Sequence, residues 1–177
     1  MAIGSKQLQL ARRWASQLGN NVEDVPGVDA EGKPVAGVGI RHGQVLLIVV
    51  EPPTGVLMVM AILEVPPDLR KAIGALPAQL QSKMYDTLKL ALMDCPRAGF
   101  AFLPQTATSL GLVERVQLME LLRIEESNIE SFNHFSDTIQ ELVTLMVRTQ
   151  QLFSTIFVGG PSMDSRSQAS KESGMFR

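Results

Sequence analysis

The chain has 177 residues, 45% of them apolar and only 19% charged, with a formal net charge of −2. Its mean hydropathy of +0.12 excludes a mainly disordered chain, because burial of that much apolar surface can offset chain entropy. The near-neutral balance excludes the strong basic field that nucleic acid or an anionic membrane surface would select. Cys95 is the only cysteine, so no intramolecular disulfide forms, and a reducing compartment or indifference to redox state fits. Arg12 and Arg13 interrupt the opening segment, which therefore does not read as a secretory leader. Residues 45–65 are apolar enough to suggest a membrane span, but Glu51, Pro52, Pro53 and Gly55 break the run in its middle. The expected address is the cytoplasm.

The elements follow in chain order. Residues 5–18 place Leu8, Ala11, Ala15 and Leu18 near helical spacing beside Trp14, with Ser5 as a start signal and Gly19-Asn20 as a stop. Residues 21–34, acidic and holding Pro26, Gly27, Gly32 and Pro34, are expected to be a loop. Residues 35–40, 44–50 and 56–63 are three β-rich runs separated by tight turns, an antiparallel meander. The continuous apolar pattern of the second and third runs implies cover on both faces, or one face meeting a partner.

Pro66-Pro67-Asp68 opens a short helical stretch, and residues 78–93 form a second helix that Pro96 ends. Residues 98–103 read as a strand and 104–111 as a polar loop. Residues 112–124 fit a helical and a strand period almost equally; a strand is preferred, to complete a hairpin. Residues 127–157 give the clearest signal. Ser127 and Glu130 form a capping box, and Phe132, Phe135, Ile139, Leu142, Met146 and Phe153 recur, with Thr149 and Ile156, in steps of three and four. Such a helix is roughly 45 Å long. Residues 162–177 form a Ser-rich polar tail.

The expectation is a single α+β domain over residues 1–158 and a disordered tail over 159–177. Its antiparallel sheet, a three-strand meander plus a two-strand hairpin, is packed with an N-terminal helix, a middle helical segment and a long C-terminal helix. Trp14…Leu18-Gly19 at the close of the first helix, Pro66-Pro67 after the third strand and Ile124-Glu125-Glu126-Ser127 entering the last helix mark this order of elements. Over about residues 5–158 it resembles the type III secretion chaperone-like fold and the YbjN-like group of uncharacterised prokaryotic proteins. That resemblance implies a homodimer that binds an extended segment of a client protein along exposed apolar patches.

The chemistry-bearing residues are sparse. Gly37-x-Gly39-x-x-x-Gly43 has the wrong spacing for a dinucleotide loop and reads as strand and turn glycines. His42 and His134 stand alone, without the three or four convergent ligands a zinc site needs. Cys95 before Pro96 reads as a packed thiol. Glu114, Glu120, Glu125, Glu126 and Glu130 cluster in sequence, where paired acids could exchange protons, but helix-start electrostatics explain Glu125 and Glu126 more simply. Lys6, Arg12 and Arg13 beside Trp14 are too few for a nucleic-acid surface, and Trp14 reads as an anchor against the sheet. The methionines, Met58, Met60, Met84, Met93, Met119 and Met146 among them, fill a core or an adaptable peptide groove, the core being the simpler reading.

The expectation for function is therefore a non-enzymatic, chaperone-like protein-binding module with no cofactor, metal or catalytic set. It takes a protein or peptide client and forms a homodimer through the long helix or a sheet face. Phe132, Phe135, Ile139, Leu142, Met146 and Phe153 are the expected partner interface. The alternative is a small-molecule-sensing domain with a pocket between sheet and helices, built on Arg41, His42 and Glu51. An enzyme with scattered residues His42, His134 and Cys95 is a third reading.

Overall fold

The computed structural model describes residues 5–28, 34–52, 55–93, 97–126 and 128–158. The expectations for Cys95-Pro96, for Ser127 as a cap and for the tail at 159–177 lie outside the described residues.

Helix α1 spans Lys6–Gln17. The Ser5 hydroxyl accepts the Leu8 amide at 3.1 Å, and Gly19 at φ +79° ends the helix in a conformation that favours glycine. Residues expected to form a loop instead form β1 (Asn21–Val28), the outermost strand, paired antiparallel with β2 (Pro34–His42) from Asn21↔Arg41 to Val28↔Pro34. An edge strand makes one ladder only, so it tolerates Pro26 and the exposed acids Glu23 and Asp24, the residues that argue for a loop in the sequence.

The meander continues through β3 (Val45–Val50) and β4 (Leu57–Glu64). After α2 (Pro67–Gly74) and α3 (Ala78–Met93) come β5 (Gly99–Leu103), a single 3-10 turn at Leu110–Leu112 and β6 (Arg115–Leu122). The ambiguous 112–124 run is thus a strand from Arg115, entered through a helical turn. The long helix α4 spans Ile129–Val158, and Asn128 Oδ1 accepts the Glu130 amide at its start. The sheet has six strands, all antiparallel, in the order β1-β2-β3-β4-β6-β5. The protein has an α+β fold.

One face of this sheet carries the core. Its inward residues include Ile40, Leu47, Val49, Val59, Ala61, Leu118 and Leu122, all at most 1% exposed. Helix α1 covers β1–β3, and α4 covers β3, β4 and β6. The two helices meet where Trp14 stands edge-on to Phe132, at 5.4 Å, and tilted to Phe135, at 5.8 Å. Helix α3 packs on α4, and its Tyr85 lies 5.0 Å from Phe102 of β5. Helix α2 sits against the 3-10 turn.

The expected partner interface is therefore corrected. Phe135, Ile139, Leu142, Met146 and Phe153 are at most 5% exposed within this one chain, and Phe132 is half-buried beside Trp14. The apolar seam of the long helix meets the chain's own sheet, because three adjacent strands offer it a matching apolar surface.

Two β2 glycines let β1 lie close. A Cβ at Gly39 would stand 2.8 Å from Val25 Cγ1 and 3.0 Å from Glu23 Cγ. Gly39→Val is expected to destabilise the fold by about 1–3 kcal/mol through overpacking. Urea unfolding measures the loss, and amide exchange should quicken first in β1.

Candidate functional site

The opposite face of the sheet is also apolar. Alternation along each strand turns Ile48, Met60 and Met119 outward in one row, since Ile48 pairs with Met60 and Met60 with Met119. The next row is Val50, Met58 and Leu121. A third joins Ile62 to Gln117 and Ala101. Leu121 is 62% exposed and Ile62 36%, whereas Val50 and Met60 are buried among their neighbours. Gln117 is the polar group nearest the middle, and its amide donates to Met60 Sδ at 3.1 Å.

Charges on this face stand at its corners and are paired there. Arg41 contacts Glu23 at 3.2 Å, and Arg115 contacts Glu64 at 3.5 Å. Among the described residues, α1, α3 and α4 pack on the inner face and none of them crosses the outer one. No described helix is long and apolar enough to cross a membrane.

One buried carboxylate faces α4 from the sheet. Glu120 opposes Val59 in the β4–β6 ladder and is 5% exposed. His134 Nε2 lies 3.3 Å from its Oε1, while Oε2 is buried without a hydrogen-bond partner. Thr138, one turn along α4, is fully buried with its hydroxyl likewise unpartnered. This contact pins α4 to β6. Among the described residues no three metal-ligating side chains converge.

The other carboxylates act as clamps. Glu126 receives Arg13 at 3.0 Å and Lys6 at 3.7 Å, tying α1 to the connection that enters α4. The Arg13 hydrogen bond and charge, with Lys6 adding to them, hold the Glu126 carboxyl below the usual glutamate range. Glu114 pairs with Arg70 at 2.9 Å.

The residues of the alternative pocket do not converge. Arg41 points to the outer face and pairs with Glu23. His42 Nδ1 contacts Asn20 Oδ1 at 2.8 Å. Glu51 follows the far end of β3, about 20 Å along the strand from the turn that holds His42. A groove of about 410 Å³ does open elsewhere, between α3 and α4, floored by Leu92, Leu145 and Leu152 with Arg148 at its rim. The sequence periodicity does not signal it, because a groove between two helices depends on their crossing.

No protein-family model matches the chain, and no curated protein matches it either. Among solved structures, the crystal structure of an uncharacterised protein from Methanothermobacter thermautotrophicus is similar, with a TM-score of 0.66 at 12% identity over 84% of this chain and 97% of that one. The likeness is one of fold.

Two outcomes follow from these contacts. In a carboxyl NMR titration Glu126 should protonate below the ordinary glutamate range, and Arg13→Gln should move its midpoint up. The ionised clamp is present above the ordinary glutamate pKa and is lost as pH falls through the lowered one. The double variant Glu120→Met/His134→Leu should unfold at a urea concentration equal to or above that of the native chain, since it removes a buried carboxylate oxygen that has no hydrogen-bond partner.

Proposed function

We propose that this chain is a non-enzymatic protein-binding module, chaperone-like in that it covers apolar surface of another polypeptide, and that its binding surface is the outer sheet face. One observation carries the reading. Three adjacent central strands turn large aliphatic and methionine side chains outward, and among the described helices none packs over them. An antiparallel sheet with one wet face normally alternates apolar with polar residues. β3 does not alternate at all, and β4 is apolar up to Glu64.

The side chains suit such a role. Met58 and Met119 are flexible and polarisable, so they can repack against a partner whose shape is not fixed in advance. Apolar patches of several hundred Å² on a protein surface mark interaction sites. The interface residues first expected on the long helix are replaced in this reading by Ile48, Met58, Ile62, Met119 and Leu121.

A photoreactive residue at position 121 tests the proposal, with position 90 on α3 as the control; Leu90 is 64% exposed and lies off the sheet face. Position 121 should crosslink to a polypeptide and position 90 should not. Ile62→Arg should abolish the adduct. Equal yields at the two positions would sink the outer face as the binding surface.

A further inference from the structure

The groove between α3 and α4 lies among the helices, on the other side of the sheet from the outer face, and carries a chemistry of its own. It has a volume of about 410 Å³, is floored by Leu92, Leu145 and Leu152, and has the small Ala91 in its α3 wall. That volume lies at the small end of the roughly 300–1,000 Å³ that ligand pockets occupy. Its α4 lining runs from Leu145 to Thr155, about 15 Å of helix at 1.5 Å per residue. An extended ten-carbon chain fits that length.

The walls hold cations and no acid. Residues 142–158 of α4 contain one charged side chain, Arg148, and residues 87–93 of α3 contain one, Lys89. Arg12, Arg13, Arg41, Arg70 and Arg115 each contact a carboxylate, whereas Arg148 contacts none among the described residues. Arg148 stands well before Val158, the last residue of α4, and so beyond the final turn in which the helix dipole repels an anion.

Hydrogen bonding narrows the ligand further. The Thr149 hydroxyl donates to the Leu145 carbonyl at 2.7 Å, and the Thr155 hydroxyl to the Gln151 carbonyl at 2.9 Å. The lining donors left for a ligand are the Arg148 guanidinium and the Gln151 side-chain amide. A guanidinium only donates, and its fork matches the two oxygens of a carboxylate. One guanidinium balances one negative charge, whereas a phosphate monoester carries about −1.5 to −2. A single exposed arginine in a chain of net charge −2 is also too little to hold an anionic membrane surface.

From this we infer that the α3–α4 groove binds a free aliphatic monocarboxylate, its head on Arg148 and its chain over Leu145, Leu152 and Leu92. The site is independent of the outer-face reading.

Sodium decanoate titrated into the isotope-labelled full chain tests it by NMR. Amide resonances of residues 88–92 and 145–155 should shift saturably, and those of β3, β4 and β6 should stay in place. Acetate, which lacks the chain, and decyltrimethylammonium, which reverses the charge of the head, should each leave the groove resonances unmoved. Arg148→Gln should weaken decanoate about three- to fivefold, the strength of an exposed charge pair, with an unchanged far-ultraviolet circular dichroism spectrum. Phosphatidylglycerol vesicles should not sediment the chain. No saturable shift at millimolar decanoate, shifts on the sheet face instead of the groove, or equal binding of acetate or decyltrimethylammonium would each overturn the inference. So would native affinity in Arg148→Gln, and sedimentation with the vesicles would overturn the free acid as the ligand.

Discussion

The rest of the structure depends on the packing of α4 against β3, β4 and β6. Phe135, Ile139 and Leu142 are at most 1% exposed there, and burying side chains of that size is worth about 1.5–3 kcal/mol each. Trp14 closes on Phe132 and Phe135 from α1, so the first helix is held partly by the last. The Arg13–Glu126 contact adds an exposed electrostatic clasp at the same joint. α3 then packs on α4 and reaches the sheet through Tyr85.

Because that packing draws α1 and α3 to the same side as α4, it decides which surface is left over. Both faces of the central strands are apolar, and the chain's own long helix fills one of them. The outer rows through Met60 and Met58 are the remainder. The proposed binding surface follows from this asymmetry. Glu120, buried beneath α4, and Thr138, on the buried side of that helix, each carry an unpartnered polar atom.

Much of this was legible in the residues. The helix beginning near Ser5, the three apolar runs of the meander and the long closing helix follow from periodicity and from caps. The two-sided apolar character of residues 45–63 also showed that one sheet face needs something beyond an ordinary wet surface. Two things were not legible. β1 carries Pro26, Glu23 and Asp24, which signal a loop in isolation; only its pairing with glycine-rich β2 makes it a strand. The seam from Phe132 to Phe153 reads equally well as a coiled-coil stripe or a core stripe, because periodicity identifies an apolar face and not what it meets. The tertiary fold decides that, by placing three strands beneath it. The outer-face rows depend on strand register across β3, β4 and β6, which joins residues 71 positions apart in sequence, Ile48 with Met119 and Val50 with Leu121.

The central claim is that the long-helix seam is core and the outer sheet face is surface. Thermal unfolding of Phe135→Asp beside Leu121→Asp tests it most directly. Phe135→Asp places a charge in a fully buried site and should abolish the cooperative transition. Leu121→Asp should keep that transition and the native far-ultraviolet spectrum. A cooperatively folded Phe135→Asp together with an unfolded Leu121→Asp would contradict the account, because it would put the core on the wrong side of the sheet.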